Sequence, residues 1–145
     1  MRYSAALALC LSVAPVAPAL AHPHLFVGVD VTMVFDGDRF AGVRLNWSYD
    51  DFFSLVLTSD LGIDLDGDMQ LTPAELAVLT DAVATWPADF GGDLEVLQNG
   101  QQIALGDRMA HEVSFVNGLV NEAHVRPVAA LPDPAAPFTV RVYDP

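Results

Sequence analysis

The stretch Asp64-Leu65-Asp66-Gly67-Asp68-Met69-Gln70-Leu71-Thr72-Pro73-Ala74-Glu75 carries the clearest chemistry in this chain. Acidic side chains stand at positions 1, 3, 5 and 12 of the run, the ligand spacing of an EF-hand-like calcium loop. Asp64, Asp66 and Asp68 alternate along a tight turn, so their oxygens converge on one point. Gln70 at position 7 offers its backbone carbonyl, Thr72 at position 9 holds a bridging water, and Glu75 closes the shell bidentately. Hard oxygens in a flexible loop favour Ca2+ over Mg2+ or a softer metal. Position 6, usually a glycine with positive φ, is Met69. A side chain there costs on the order of 1 kcal/mol and predicts a weakened site. The competing reading is a helix cap, because Thr72-Pro73-Ala74-Glu75 is a capping box with proline at N1. Glu75 cannot close an ion's shell and fold back on the Thr72 amide at once. Three neighbouring aspartates repel one another without a cation, which a cap alone does not require, and calcium is the preferred reading.

A second set of ligand types depends on processing. Residues 1–21 read as an export signal: Arg2, an apolar run from Ala5 to Leu20, and the cleavage site Ala19-Leu20-Ala21. Pro15 and Pro18 interrupt a run too short for a membrane-spanning helix. Cys10 follows Leu9 where a lipid-attachment site wants a small residue. Cleavage after Ala21 leaves a periplasmic chain beginning His22-Pro23-His24, without a cysteine and hence without a disulfide. The free amine and imidazole of His22 chelate Zn2+, Ni2+, Co2+ or Cu2+, and His24 supplies a second imidazole. Pro23 excludes the copper motif that needs a deprotonated amide at that position. Taken alone, a frayed terminus with solvated imidazoles explains these residues as well.

The elements that must position these groups follow from periodicity. Leu25, Val27, Val29, Val31, Met33 and Phe35 alternate as a strand with one buried face, and Val43, Leu45, Trp47 and Tyr49 as a second. A turn at Asp36-Gly37-Asp38 with Phe35 opposite Arg39 sets Val27 against Trp47, Val29 against Leu45 and Val31 against Val43. It also sets Asp30 against Arg44, a favourable cross-strand charge pair. Extended, the same register places His24 opposite Asp50, so that His22, His24, Asp50 and Asp51 converge as nitrogen and carboxylate ligands.

Asp50 to Leu61 reads as a helix with Phe52, Phe53, Val56 and Leu57 on its apolar side. Pro73 to Trp86 reads as a second, with Leu76, Leu79, Val83 and Trp86 buried. Hairpins are expected from Leu94 to Leu105 around Asn99-Gly100, and from His111 to Val128 around Asn117-Gly118. Phe138, Val140 and Val142 mark a last strand. The second hairpin brings His111 opposite His124, with Cβ atoms ~5 Å apart, close enough to share a metal. Glu122 and Arg126 flank His124 on that face, so two exposed imidazoles are expected instead. The fold class is α+β: one domain over 22–145, antiparallel hairpins with an inserted helix–calcium loop–helix.

Composition narrows the partners. The chain has 52% hydrophobic residues, 19 acids and 6 arginines with no lysine, a net charge of −13. That balance argues against nucleic acid and anionic membranes, and for cations. No nucleophile elbow, phosphate loop or zinc-protease helix supports catalysis, and a metal-dependent hydrolase is a distant third reading.

His22-Pro23-His24, the segment Trp47-Ser48-Tyr49-Asp50-Asp51-Phe52-Phe53-Ser54, the 64–75 loop and Val142-Tyr143-Asp144-Pro145 together give a resemblance. They resemble a periplasmic family filed as a domain of unknown function, described as transport-system periplasmic components and including ZevA-like zinc-acquisition proteins. The resemblance implies a companion of a nickel/cobalt-type inner-membrane permease, not inserted in the membrane itself after signal cleavage. It also implies a transition-metal role for His22, His24, Asp50 and Asp51. Family members run on past the Tyr-Asp-Pro segment, so the chain is expected to be a C-terminally truncated member. The rival expectation is a secreted calcium-stabilised interaction domain with no transport role.

Overall fold

The structure is a computed structural model that describes residues 25–85, 90–131 and 133–143. The first alternating run forms β1 (Val27–Asp36) and the second β2 (Arg39–Tyr49), an antiparallel pair. Their register corrects the expected one by two residues. Val27 faces Tyr49, Val29 faces Trp47, and Val31 faces Leu45; Asp30 faces Asn46 rather than Arg44. Two local causes add up. The turn is the two-residue Gly37-Asp38, with Asp36 opposite Arg39, and β2 then takes one extra residue at Ala41, between Val34–Gly42 and Phe35–Phe40. A shift of two preserves which face each side chain occupies, so the apolar rows still coincide. Arg44 instead pairs with Glu112 at 2.9 Å.

After the loop region come β3 (Leu94–Gln98), β4 (Gln101–Gln102), β5 (Met109–Val116), β6 (Leu119–Pro127) and β7 (Thr139–Val142). One antiparallel sheet has the order β1-β2-β6-β5, and a smaller one the order β4-β3-β7. Both expected Asn-Gly turns form, with positive φ at Asn99, Gly100, Asn117 and Gly118. The first hairpin is shorter than expected: β4 stops at Gln102, and Leu105 forms an isolated bridge to Val128, just past β6. Gly42 lets β2 and β6 approach closely, because a Cβ built there would sit 2.7 Å from the Arg126 carbonyl oxygen.

Two helices precede β3. Helix α1 (Asp51–Leu61) is capped by Asp50, whose carboxylate accepts from the Phe53 N–H, and it ends on Gly62 in the left-handed region. Helix α2 (Pro73–Ala84) starts from Thr72. The buried residues of α1 are Ser54 and Thr58, while Phe52 and Val56 are exposed, which corrects the expected apolar side. The reason is a close contact: the Ser54 hydroxyl accepts the Val120 N–H at 3.0 Å, and a small residue is needed there. Leu79 of α2 is fully buried with Leu76 and Val83 beside it, as expected; Trp86 lies outside the described residues. Among the described residues no helix is long and apolar enough to cross a membrane.

Both apolar clusters lie on one face of the larger sheet. Phe40, Val43, Leu45 and Trp47 pack on Leu94, Val96 and Ile103 of the smaller sheet side. Val120 packs with Ile63 and Leu79 of the helical side, and Tyr49 touches both groups. The architecture is α+β, mostly antiparallel sheet with two helices.

Candidate functional site

The acidic loop is built by the ends of α1 and α2. Asp64, Gly67 and Met69 all adopt positive φ, of 53°, 69° and 61°. The turn expected at position 6 therefore forms with a methionine in the left-handed region. The Met69 N–H donates to Asp64 Oδ1 at 3.1 Å, and the Gln70 N–H to Asp68 Oδ1 at 2.8 Å. Asp64, Asp66 and Asp68 each offer an oxygen within 4.8 Å of the other two. Oxygens that share one Ca2+ at 2.3–2.6 Å lie at most about 5 Å apart, so the triad fits a single ion of that size. Asp66 and Asp68 line a hollow of about 480 Å3 together with Gln70, Thr72 and Glu75.

Glu75 is engaged in the capping box. Its Oε2 accepts from the Thr72 N–H at 2.9 Å and the Thr72 hydroxyl at 2.7 Å, while its Oε1 accepts from the Asp64 N–H at 3.1 Å. These bonds, with the Thr72 hydroxyl foremost, hold its carboxyl below the ordinary value. Glu75 thus ties the first residue of the loop to the start of α2, and closing on an ion requires it to release Thr72.

The proposed histidine site falls only partly within the described residues, which include Asp50 and Asp51. His22 and His24 lie outside the described residues. Asp50 is opposite Phe26, not His24: the Asp50 N–H donates to the Phe26 carbonyl at 3.1 Å, and the Phe26 N–H donates to Asp50 Oδ2 at 2.9 Å. Asp50 Oδ1 caps α1 through the Phe53 N–H at 2.7 Å. These backbone donors, Phe53 first, hold its carboxyl below the ordinary value. Asp51 accepts from the Phe52 N–H at 2.9 Å. The two-residue shift in register removes the geometric basis for a His24–Asp50 contact.

The sequence reading missed a buried polar cluster between the two apolar ones. Glu122 of β6 is buried, and its Oε1 receives Arg108 Nη1 at 2.7 Å and His111 Nε2 at 2.9 Å, with His124 Nδ1 at 3.3 Å. Arg108 also donates to the carbonyl of Ala84, the last residue of α2. Tyr49 Oη lies 3.5 Å from Glu122 Oε2. His124 is buried edge-on to Trp47, with ring centroids 5.4 Å apart. The expectation of exposed imidazoles fails for His124, because β6 turns that face toward Leu45 and Trp47. Burial works to raise the Glu122 carboxyl, yet the His124 and His111 imidazoles outweigh it, and the group ends below its ordinary value. Burial, helped by the Glu122 charge, pushes the Tyr49 phenol up. Arg108, His111 and His124 all converge on Glu122 Oε1, so the cluster is a polar network built around one buried carboxylate.

Residues 7–145 match the family described as a protein of unknown function, DUF1007. The chain belongs to that family. No curated protein and no solved structure matches it. Membership in DUF1007 agrees with the resemblance to a family filed as a domain of unknown function, and it extends over the acidic loop, both helices and the buried cluster.

Proposed function

We propose that this DUF1007 protein is an exported, non-catalytic metal-binding accessory of a transition-metal transport system, with calcium ordering its 64–75 loop. The observation that carries the cation reading is the convergence of the Asp64, Asp66 and Asp68 oxygens within 4.8 Å around a loop with Met69 in the left-handed region. Asp64, Asp66, Asp68 and the Gln70 carbonyl would hold Ca2+, and Glu75 would join them by leaving its cap. Calcium there would cancel the repulsion of the triad and fix the link between α1 and α2. The net charge of −13 supports a cationic cargo or cofactor. The transport role rests on the sequence resemblance, as does a partner permease in the inner membrane. His22 and His24 are proposed as the transition-metal ligands, through the amine and imidazole that signal cleavage exposes. Asp50 and Asp51 are proposed only as groups near that terminus.

The exposed apolar side chains of β1 favour a second reading, a calcium-stabilised interaction domain. One experiment separates the two. Mature protein beginning at His22, His24→Ala, and a form with one residue added before His22 are titrated with zinc, nickel and calcium. Tight zinc or nickel binding by the first alone supports the transport accessory. Equal binding by all three removes the N-terminal site, and a calcium response that survives then leaves the interaction domain.

A further inference from the structure

The side chains of Val29, Val31, Met33 and Phe35 belong to the same face as Leu45 and Trp47, yet they are 38%, 43%, 48% and 53% exposed. The layer that covers β2 does not extend over β1. Among the described residues β1 pairs only with β2, and it forms the edge of the larger sheet. The backbone adds a second observation. The Phe26 carbonyl accepts from Asp50, so Phe26 directs its polar groups toward β2. In an antiparallel pair this direction alternates, so Gly28, Asp30 and Thr32 also point inward, and Val27, Val29, Val31 and Met33 present N–H and C=O to the open edge. Of the residues with outward backbone groups, Val29, Val31 and Met33 also carry the exposed apolar side chains.

Beside this edge lies a groove of about 1000 Å3, lined among others by Val29, Val31, Trp47, Tyr49, Phe53 and Tyr143. Its charged lining residues are Asp93 and Glu122. From these features we infer that β1 accepts an extended strand of a partner protein, with apolar residues alternating with basic ones. An added strand pairs with the backbone of Val29 and Val31 and projects alternate side chains over their face into the groove, where apolar groups fit. Its remaining side chains emerge on the opposite face beside exposed Asp30, where lysine or arginine is favoured. A second copy of the chain suits the edge poorly, because it brings another Asp30 and a net charge of −13. The long apolar edge strand, which monomeric proteins ordinarily protect, is the recognition element.

The test uses a short peptide alternating lysine and valine, its glutamate–valine counterpart, and the lysine–valine peptide N-methylated along one edge. Binding is measured by calorimetry, and amide exchange is followed at Val27, Val29, Val31 and Met33. The lysine–valine peptide should bind and slow exchange at those four amides. The N-methylated and acidic peptides should bind at least about tenfold more weakly. Val31→Pro should weaken binding similarly, because it removes an outward N–H and leaves the β1–β2 ladder intact. Equal binding by the N-methylated peptide, equal or better binding by the acidic one, or no binding at all overturns the proposal. Protection of the four amides by self-association of the protein alone also overturns it, in favour of a second copy.

Discussion

Arg108 reaches the buried carboxylate of Glu122 at 2.7 Å and with its other terminal nitrogen holds the last carbonyl of α2, so one guanidinium joins sheet and helix. Breaking a buried pair from one side leaves the other charge uncompensated, which costs about 3–5 kcal/mol. Glu122→Gln should lower stability by about 3 kcal/mol in urea denaturation at neutral pH. Adding Arg108→Gln should recover part of that loss, and the double-mutant cycle reads the coupling.

Acid should unfold the protein partly through the same group. Glu122 is held below its ordinary value, so its contribution is complete above the ordinary carboxylate range. It is lost as pH falls through the lower, folded-state value. Asp50 and Glu75 act in the same direction. The urea midpoint should fall with decreasing pH in the acid range, and the Glu122→Gln protein should show a shallower fall than the parent.

Calcium should stabilise the fold. At a hundredfold excess over its dissociation constant the gain is ~2.7 kcal/mol, read as a rise in Tm against chelator. Asp66→Asn, which alters an exposed member of the triad, should reduce the rise while leaving Tm in chelator nearly unchanged. An identical Tm for the parent in calcium and in chelator would show that the loop is not a calcium site.

Thr72→Ala removes the hydroxyl that bonds both the Glu75 N–H and the Glu75 carboxylate. The expected loss is about 1 kcal/mol by thermal or urea unfolding in chelator, and smaller in calcium, where Glu75 has left the cap.

Gly42→Ala tests the close approach of β2 and β6. The added methyl meets the Arg126 carbonyl oxygen at 2.7 Å and the Pro127 Cα at 3.2 Å, both backbone atoms, so the strands must move apart. A destabilisation of about 2 kcal/mol is expected, within the range for overpacked sites.

Much of this architecture could be read from the chain. Alternation located the strands, Asn-Gly marked both hairpin turns, and Asp50, Thr72 and Pro73 placed the helix starts. The β1–β2 register could not be read, because the extra residue at Ala41 leaves no mark on the apolar pattern. The same even shift that kept the faces correct set Phe26 opposite Asp50, the place expected for His24. Glu122 was missed although its signal was present. Counting back from Asn117-Gly118 sets Glu122 against Val113 and Val120 against Phe115, an apolar row in which a carboxylate must be buried and paired. Its partner Arg108 stands outside the periodic segments, where no spacing points to it. The acidic triad was legible because its carboxylates stand at alternate positions of one short stretch of sequence.

The position of Tyr49 has a consequence for how the molecule comes apart. Its ring packs against both apolar clusters, and its hydroxyl approaches the carboxylate between them. Two neighbouring clusters of this size would otherwise open independently. A shared aromatic makes each the template for the other, so the amides of α2 and of β3 should exchange through a single cooperative opening. Tyr49 is the residue at which two apolar clusters become one folding unit.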